Sequence, residues 1–257
     1  VAVSGPEAAA FLERMVSNEV VTLPVGDARE ALLLTAKARI VATMTIWRRD
    51  ADDFLLATEP AAGDALRSTL LRARFAAKCV IEPEAHRSTV VVGERAGELL
   101  ADGHTQGWRT ADFGVEAVEL LDGQVDAGPL AQEELERLRI LARTPRLGAE
   151  LDDRVLPAEA GLEDRAISFT KGCYPGQEPV ARLHYRGHPN RGLRVLALDP
   201  PVPPYDAELA LDGKVVGRIT SWAPDPDHGV VCLAYVRREV PDDAVLSYAG
   251  RPARQLA

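Results

Sequence analysis

The sequence predicts an α+β fold, with antiparallel sheets and helices in the N-terminal part and a small β-barrel at the C-terminal end. Three observations carry this. Strand-like stretches arrive in adjacent runs and not in strict β-α-β alternation, which favours antiparallel pairing. Neither Gly-x-Gly-x-x-Gly nor Gly-x-x-x-x-Gly-Lys-Ser/Thr occurs, so the usual phosphate-cradling loops of doubly wound folds are absent. From about Arg191 onward the chain is strand-rich, and Asp212-Gly213 is a strong two-residue hairpin turn.

The chain opens on Val1 and not on Met, which leaves room for residues upstream, and "VAV" reads as a strand. "SGPEAAAFLERMV" predicts a helix capped by Ser4, with Glu7 completing a capping box and Pro6 in the first turn. Phe11, Leu12 and Met15 fall on one face of it. "ALLLTAKARIVATMTIWRRDADDFLLATE" reads as three strands, turning near Lys37-Ala38 and again at Asp50–Asp52. A helix is expected over about Asp64–Phe75, with Leu66 and Leu70 one turn apart. "KCVIEP", "STVVVG" and "VEAVELL" are further strands, and "ERAGELLADG" is a short helix ended by Gly103. "LAQEELERLRILART" is a helix that stops before Pro145. "GLRVLAL", "AELALDGKVVGRITS" and "GVVCLAYVRR" supply the barrel strands, with "DPPVPPYD" as a loop between them.

Composition narrows the function. The chain has 257 residues, 46% of them apolar and 27% charged, enough for real cores and too apolar for global disorder. A net charge of −9 argues against a protein whose whole surface grips nucleic acid. Cys79, Cys173 and Cys232 are far apart and odd in number, which predicts free thiols in a reducing compartment. Three scattered thiols do not supply the four ligands of an ordinary iron–sulfur cluster. No apolar run approaches a membrane span and no signal-peptide layout opens the chain, so a cytoplasmic location is expected.

The chemistry gathers in "FTKGCYPGQEPVARLHYRGHPNRG", Phe169 to Gly192. The only lysines are Lys37, Lys78, Lys171 and Lys214, yet Lys171, Arg182, Arg186, Arg191 and Arg194 cluster here against Glu178. A basic island in an acidic protein marks a contact for an anion. Pro175-Gly176 suits the centre of a type II turn. Gln177 and Glu178 then start a short helix with Pro179 in its first turn; Arg182 and Arg186 share one face, and Val180 and Leu183 face the core. Cys173 stands two residues from Lys171 and near a helix N-terminus, and both features favour the reactive thiolate. Cys79 and Cys232 sit among strand residues and read as core. His184 and His188 have i, i+4 spacing, but Gly187 and Pro189 interrupt the helix and no third ligand follows, so no metal site is expected.

"KGCYPGQEPVARLHYRG", preceded by "LPAEAGLEDRAISFT" and followed by "GRITSWAPDPDHGVVCLAYVRR", resembles the YgfZ family of folate-binding proteins, relatives of the aminomethyltransferase (T-protein) of the glycine cleavage system. The resemblance implies a T-protein-type folate-binding α+β domain over 1–187, divisible at about 82/83, and a β-barrel domain over 188–257. It implies subdomains around a central hole that admits tetrahydrofolate or another reduced folate, with or without a polyglutamate tail. It implies a cytoplasmic accessory role toward iron–sulfur proteins or their assembly factors, with an indirect link to tRNA modification and no direct nucleic-acid or membrane binding. Cys173 and Lys171 carry over as the catalytic pair, Cys173 doing redox, sulfur or one-carbon chemistry or shielding a cluster intermediate. Tyr174, Gly176, Gln177, Glu178 and Arg182 carry over as cofactor-binding residues. Arg186, on the same face as Arg182, is expected with it at the anionic tail.

Three departures from the pattern set the alternative, a folate-dependent aminomethyltransferase, in second place. Leu141 is apolar where a T-protein would hold the pterin with a glutamate. Glu59 stands where its asparagine is expected, and Asp64 matches its catalytic aspartate only with a shifted alignment. The Lys-Gly-Arg turn of the YgfZ pattern is Lys37-Ala38-Arg39, which leaves the role of Lys37 open.

Overall fold

The computed structural model describes residues 1–101, 105–126, 128–201 and 204–256. In chain order they form β1 (Ala2–Ser4), α1 (Ala8–Met15), β2 (Ala28–Leu34), β3 (Ile40–Asp50), β4 (Asp53–Ala57), α2 (Pro60–Ala73) and β5 (Val80–Glu82). There follow β6 (Ser88–Val92), a 3₁₀ turn (Ala96–Leu100), β7 (Gly107–Thr110), β8 (Ala117–Leu121), α3 (Gln132–Leu141), α4 (Glu163–Ala166) and α5 (Gln177–Arg186). The C-terminal strands are β9 (Arg191–Leu198), β10 (Glu208–Leu211), β11 (Lys214–Asp225), β12 (Gly229–Arg237), β13 (Val245–Tyr248) and β14 (Arg251–Gln255). The expected α+β class with a closed C-terminal barrel is what the chain adopts.

Two compact units divide the chain, each discontinuous in sequence. The first holds Val1–Arg87, Leu151–Ala158 and Leu162–His188. Its sheet has the order β2-β3-β4-β1-β5, every pair antiparallel. The core lies on one face of this sheet, where Phe54, Leu56, Leu66 and Leu70 are fully buried, and α1 adds Phe11 and Leu12. Strand β3 alternates buried Ile40, Ala42, Met44 and Ile46 with half-buried neighbours, the period-2 pattern of a half-covered sheet.

The second unit holds Ser88–Glu150, Glu159–Gly161 and Pro189–Ala257. It contains a small antiparallel sheet of order β6-β8-β7 and a closed barrel of order β10-β11-β12-β9-β14-β13. Strand β12 is a continuous apolar run because both of its faces are covered. Cys232, Ala234 and Val236 point into the barrel core, while Val231 and Leu233 pack with Ile140 of α3. Asp212 and Gly213, at φ 50° and 76°, make the expected hairpin turn.

Some local expectations are corrected. Ser4 does not cap α1; it closes β1, and Gly5 turns the chain at φ 121° so that the helix begins at Ala8. The Glu7 carboxylate instead accepts from the Lys78 backbone N–H at 2.8 Å. Helix α2 starts at Pro60, four residues before the expected Asp64, because proline is well placed at a first helical position. It ends before Phe75, which sits at φ 43° and 90% exposed. Gly103, expected to end the short helix after β6, lies outside the described residues.

Candidate functional site

Three hydrogen bonds around one buried serine fix the segment that leads into the signature. Ser17 Oγ donates to the Ala166 carbonyl at 2.6 Å and accepts from the Leu32 N–H at 2.8 Å, and the Ser17 carbonyl accepts from the Ser168 N–H at 2.9 Å. Arg165 adds a bidentate pair with Glu30, both contacts at 2.5 Å. The signature therefore leaves a rigid support made by α4, β2 and the end of α1.

The Lys171 ammonium turns into that support. Its side chain is fully buried; it donates to the carbonyls of Val16 at 2.9 Å and Asn18 at 2.6 Å, and Glu13 stands 3.4 Å away. It also lies 5.6 Å from the centre of the Tyr174 ring. Burial holds its pKa below the ordinary lysine value, against the pull of Glu13. Lys171, expected as the cation beside Cys173, is thus occupied by carbonyls and a carboxylate of the fold.

The bend after Cys173 is the turn the sequence predicts. Gln177 N–H donates to the Tyr174 carbonyl at 3.2 Å, and Gly176 sits at φ 85°, ψ 0°, the third position of a type II turn. Gly176 also meets the β2–β3 turn: a Cβ there would lie 2.6 Å from the Thr35 carbonyl oxygen and 3.2 Å from Ala38 Cα. No side chain fits. Ala38 keeps that turn's left-handed conformation, at φ 57°, although it is not glycine, and the Ala38 N–H closes it on the Thr35 carbonyl at 2.9 Å. Lys37 is exposed on the same turn.

Helix α5, the signature turn and the β2–β3 turn enclose a cavity of about 820 Å³ within the first unit, inside the size range of small-molecule sites. Of the residues expected to bind or react, Cys173, Tyr174, Gly176, Gln177, Glu178, Arg182 and Arg186 all line it; Lys171 does not. Leu183, expected in the core, is half-buried and forms cavity wall, whereas Val180 is both buried and on the wall. Leu156 and Pro157 add apolar surface. Cys173 is exposed, while Cys79 and Cys232 are buried, and burial pushes both of those thiols up. Arg182 and Arg186 are exposed one helical turn apart, with no ion-pair partner among the described residues. Asp64 is exposed on α2 and is not part of the wall.

One wall residue was missed. Glu163, the first residue of α4, lies in the stretch that precedes the signature, where nothing in the sequence singles it out for a role. In the fold it lines the cavity, and burial raises its pKa above the usual carboxylate value. His184 Nδ1 is 3.7 Å from its Oε1, and the His184 ring stacks on Phe169 at 3.8 Å. Burial, with the nearby Glu163 charge adding, pushes the Tyr174 phenol up to about 12.

Residues 1–122 match the GCVT N-terminal domain. The chain is 25% identical over 280 residues to an aminomethyltransferase of Streptomyces avermitilis, covering 92% of this chain and 75% of that one. It is 28% identical over 256 residues to the human mitochondrial iron-sulfur cluster assembly factor IBA57, covering 84% and 70%. It is 24% identical over 274 residues to the tRNA-modifying protein YgfZ of Vibrio atlanticus, covering 96% and 84%. A shorter match, 35% identical over 121 residues, spans only 27% of a chloroplastic protein of Arabidopsis thaliana. In fold the chain is similar to the glycine cleavage system aminomethyltransferase T of Bartonella henselae, with a TM-score of 0.85 at 20% identity over 99% of this chain and 81% of that one. The chain is therefore similar to the YgfZ-type proteins and to the aminomethyltransferases, matches the GCVT N-terminal domain over its first 122 residues and adopts the T-protein fold.

Proposed function

We propose that the chain binds a reduced folate in the cavity of its first unit and serves iron–sulfur proteins as an accessory factor, with Cys173 as the reactive group at the cavity wall. The observation that carries this is the composition of the wall: one exposed thiol, two unpartnered guanidinium groups and apolar surface around a space of about 820 Å³. A reduced folate combines a polar pterin, an aromatic middle and an anionic glutamate tail. Arg182 and Arg186 suit the tail, since a guanidinium fork pairs with a carboxylate through two parallel hydrogen bonds. The names of the human and Vibrio relatives support the link to iron–sulfur assembly and, indirectly, to tRNA modification. The reading places this work in the cytoplasm; among the described residues no helix is long and apolar enough to cross a membrane.

Folate-dependent one-carbon transfer is the second reading, supported by the Streptomyces enzyme's similarity over 92% of this chain. It is placed second because Asp64, the acid nearest the expected catalytic position, does not reach the cavity wall.

Calorimetric titration with 5-formyltetrahydrofolate and its polyglutamate form tests the proposal. The wild type is expected to bind both, and Arg182→Ala/Arg186→Ala to lose about tenfold or more for the polyglutamate form. Cys173→Ser is expected to bind normally yet to leave iron–sulfur enzyme activity unrestored in cells lacking the protein. Absence of folate binding by the wild type removes the proposal. Turnover of an aminomethyl donor by the purified protein would move the second reading to first.

A further inference from the structure

The basic island of the signature does not stay together in the fold. Arg182 and Arg186 line the cavity of the first unit, whereas Arg191 and Arg194 belong to β9 in the second. Arg194 is engaged locally: its guanidinium donates to the Val240 carbonyl at 2.9 Å and stands 3.2 Å from Asp242. Arg191 instead joins two arginines that are distant in sequence. The antiparallel register of β9 on β12 sets Arg191 opposite Arg237, and Arg238 opens the turn after β12. Like charges directly opposite on paired strands are destabilising, so the fold carries a cost at this place.

These three arginines, with Pro189, Asn190 and Glu239, line a cleft of about 640 Å³ within the second unit. Backbone hydrogen bonds fix its rim. The Arg238 N–H donates to the Asn190 carbonyl at 2.9 Å, and the Val240 N–H donates to the Arg237 carbonyl at 3.2 Å. Arg191 is held in place, its guanidinium 4.7 Å from the centre of the Tyr235 ring and one of its nitrogens 3.2 Å from Glu159. Arg237 and Glu239 meet at 3.5 Å with both side chains more than half exposed. Such a surface pair is worth little, so an incoming anion can displace Glu239. Arg238 is exposed and has no ion-pair partner among the described residues. In a chain of net charge −9 this cleft is a local concentration of positive charge.

We propose that the cleft is a second anion site, which holds the phosphate or diphosphate group of a small molecule. The wall selects that class. Guanidinium forks match the oxygens of a phosphoryl group through paired, charge-assisted hydrogen bonds. A group with two or more charges also competes better for Arg237 than the single carboxylate of Glu239. Pro189 is the apolar residue of the lining, and among the described residues no aromatic face borders the cleft on which a nucleobase could stack. The net charge of −9 opposes a long polyanion, while three arginines in one confined cleft suit a compact one. The site stands independently of the folate reading, since none of its residues lines the cavity of the first unit.

Calorimetric titration with inorganic pyrophosphate tests this. Arg182→Ala/Arg186→Ala serves as the background, so that the guanidinium pair of the first unit makes no contribution, and thermal melting checks each fold. The background protein is expected to bind pyrophosphate. Adding Arg237→Ala/Arg238→Ala should weaken binding about tenfold or more, because charge-assisted hydrogen bonds are lost while the exposed positions leave the melting temperature in place. Adding Glu239→Gln instead should tighten it, since the competing carboxylate is gone. No binding by the background protein, or binding that survives loss of Arg237 and Arg238, overturns the proposal. Oligouridylate that binds more tightly than pyrophosphate, and is lost in the same variant, would assign the cleft to an RNA backbone and overturn the small-molecule assignment.

Discussion

Replacing Gly176 by alanine tests whether the signature turn is wedged against the β2–β3 turn. The new Cβ would stand 2.6 Å from the Thr35 carbonyl oxygen, 3.1 Å from Leu34 Cβ and 3.2 Å from Ala38 Cα, at φ 85°. Two penalties add. Left-handed backbone costs an L-residue about 1–2 kcal/mol, and forcing an extra methyl into closed packing costs about 1–3 kcal/mol. The Thr35 oxygen is backbone and cannot swing away, so the expected loss is about 2–5 kcal/mol. Gly172→Ala is the control, since a Cβ there meets nothing within 4 Å and the backbone is not left-handed; it should change stability by less than about 0.5 kcal/mol. Urea unfolding followed by circular dichroism reads both. Equal midpoints for the two variants would show that the turns do not touch as described.

Thiol chemistry gives a second check: a thiol reagent should label one cysteine quickly in the native protein and three after denaturation, and Cys173→Ser should abolish the fast phase. A fast phase that survives would place the accessible thiol elsewhere. Lys171→Met should cost about 3 kcal/mol in chemical denaturation, because the Val16 and Asn18 carbonyls and Glu13 are left facing a methyl group. A neutral result would mean that the burial cost of the ammonium already cancels its partners. For pH, burial raises Glu163 above its ordinary 4.5, so the folded chain keeps this proton after the unfolded chain has lost it. Stability from this group is therefore highest below the unfolded value and falls as pH climbs toward the folded one. Glu163→Gln should gain on wild type across that window and hold a constant margin above it; a margin independent of pH would refute the shift.

Local chemistry was legible in the sequence and long-range placement was not. Pro175-Gly176 announces its turn because both residues act through their own backbone, and the register of α5 follows directly, bringing Arg182 and Arg186 to one face. The partners of Lys171 lie 153 and 155 residues away, so nothing in its neighbourhood shows that its charge is taken up inside the fold. Glu163 was hidden for the same reason. Among the strands, β7 is four residues long and β14 contains Pro252, opposite Ser247, so neither shows the alternation or the composition that marks a strand. Leu183 reads as core because it follows Val180 at helical spacing; the cavity takes the place of core on that side of α5.

The separation of Lys171 from Cys173 changes what surrounds the thiol. Two residues apart in sequence, one side chain is fully buried among carbonyls and the other is exposed on a cavity wall. A lysine whose charge is already matched by Glu13 offers little field to stabilise a thiolate, because an ion pair acts at a distance as a dipole. The wall's side chains without an ion-pair partner among the described residues are Arg182 and Arg186 and also Glu178, all on α5. Charge of both signs therefore borders the thiol there, and an anionic tail drawn to the two guanidinium groups has to pass Glu178, one turn from Arg182.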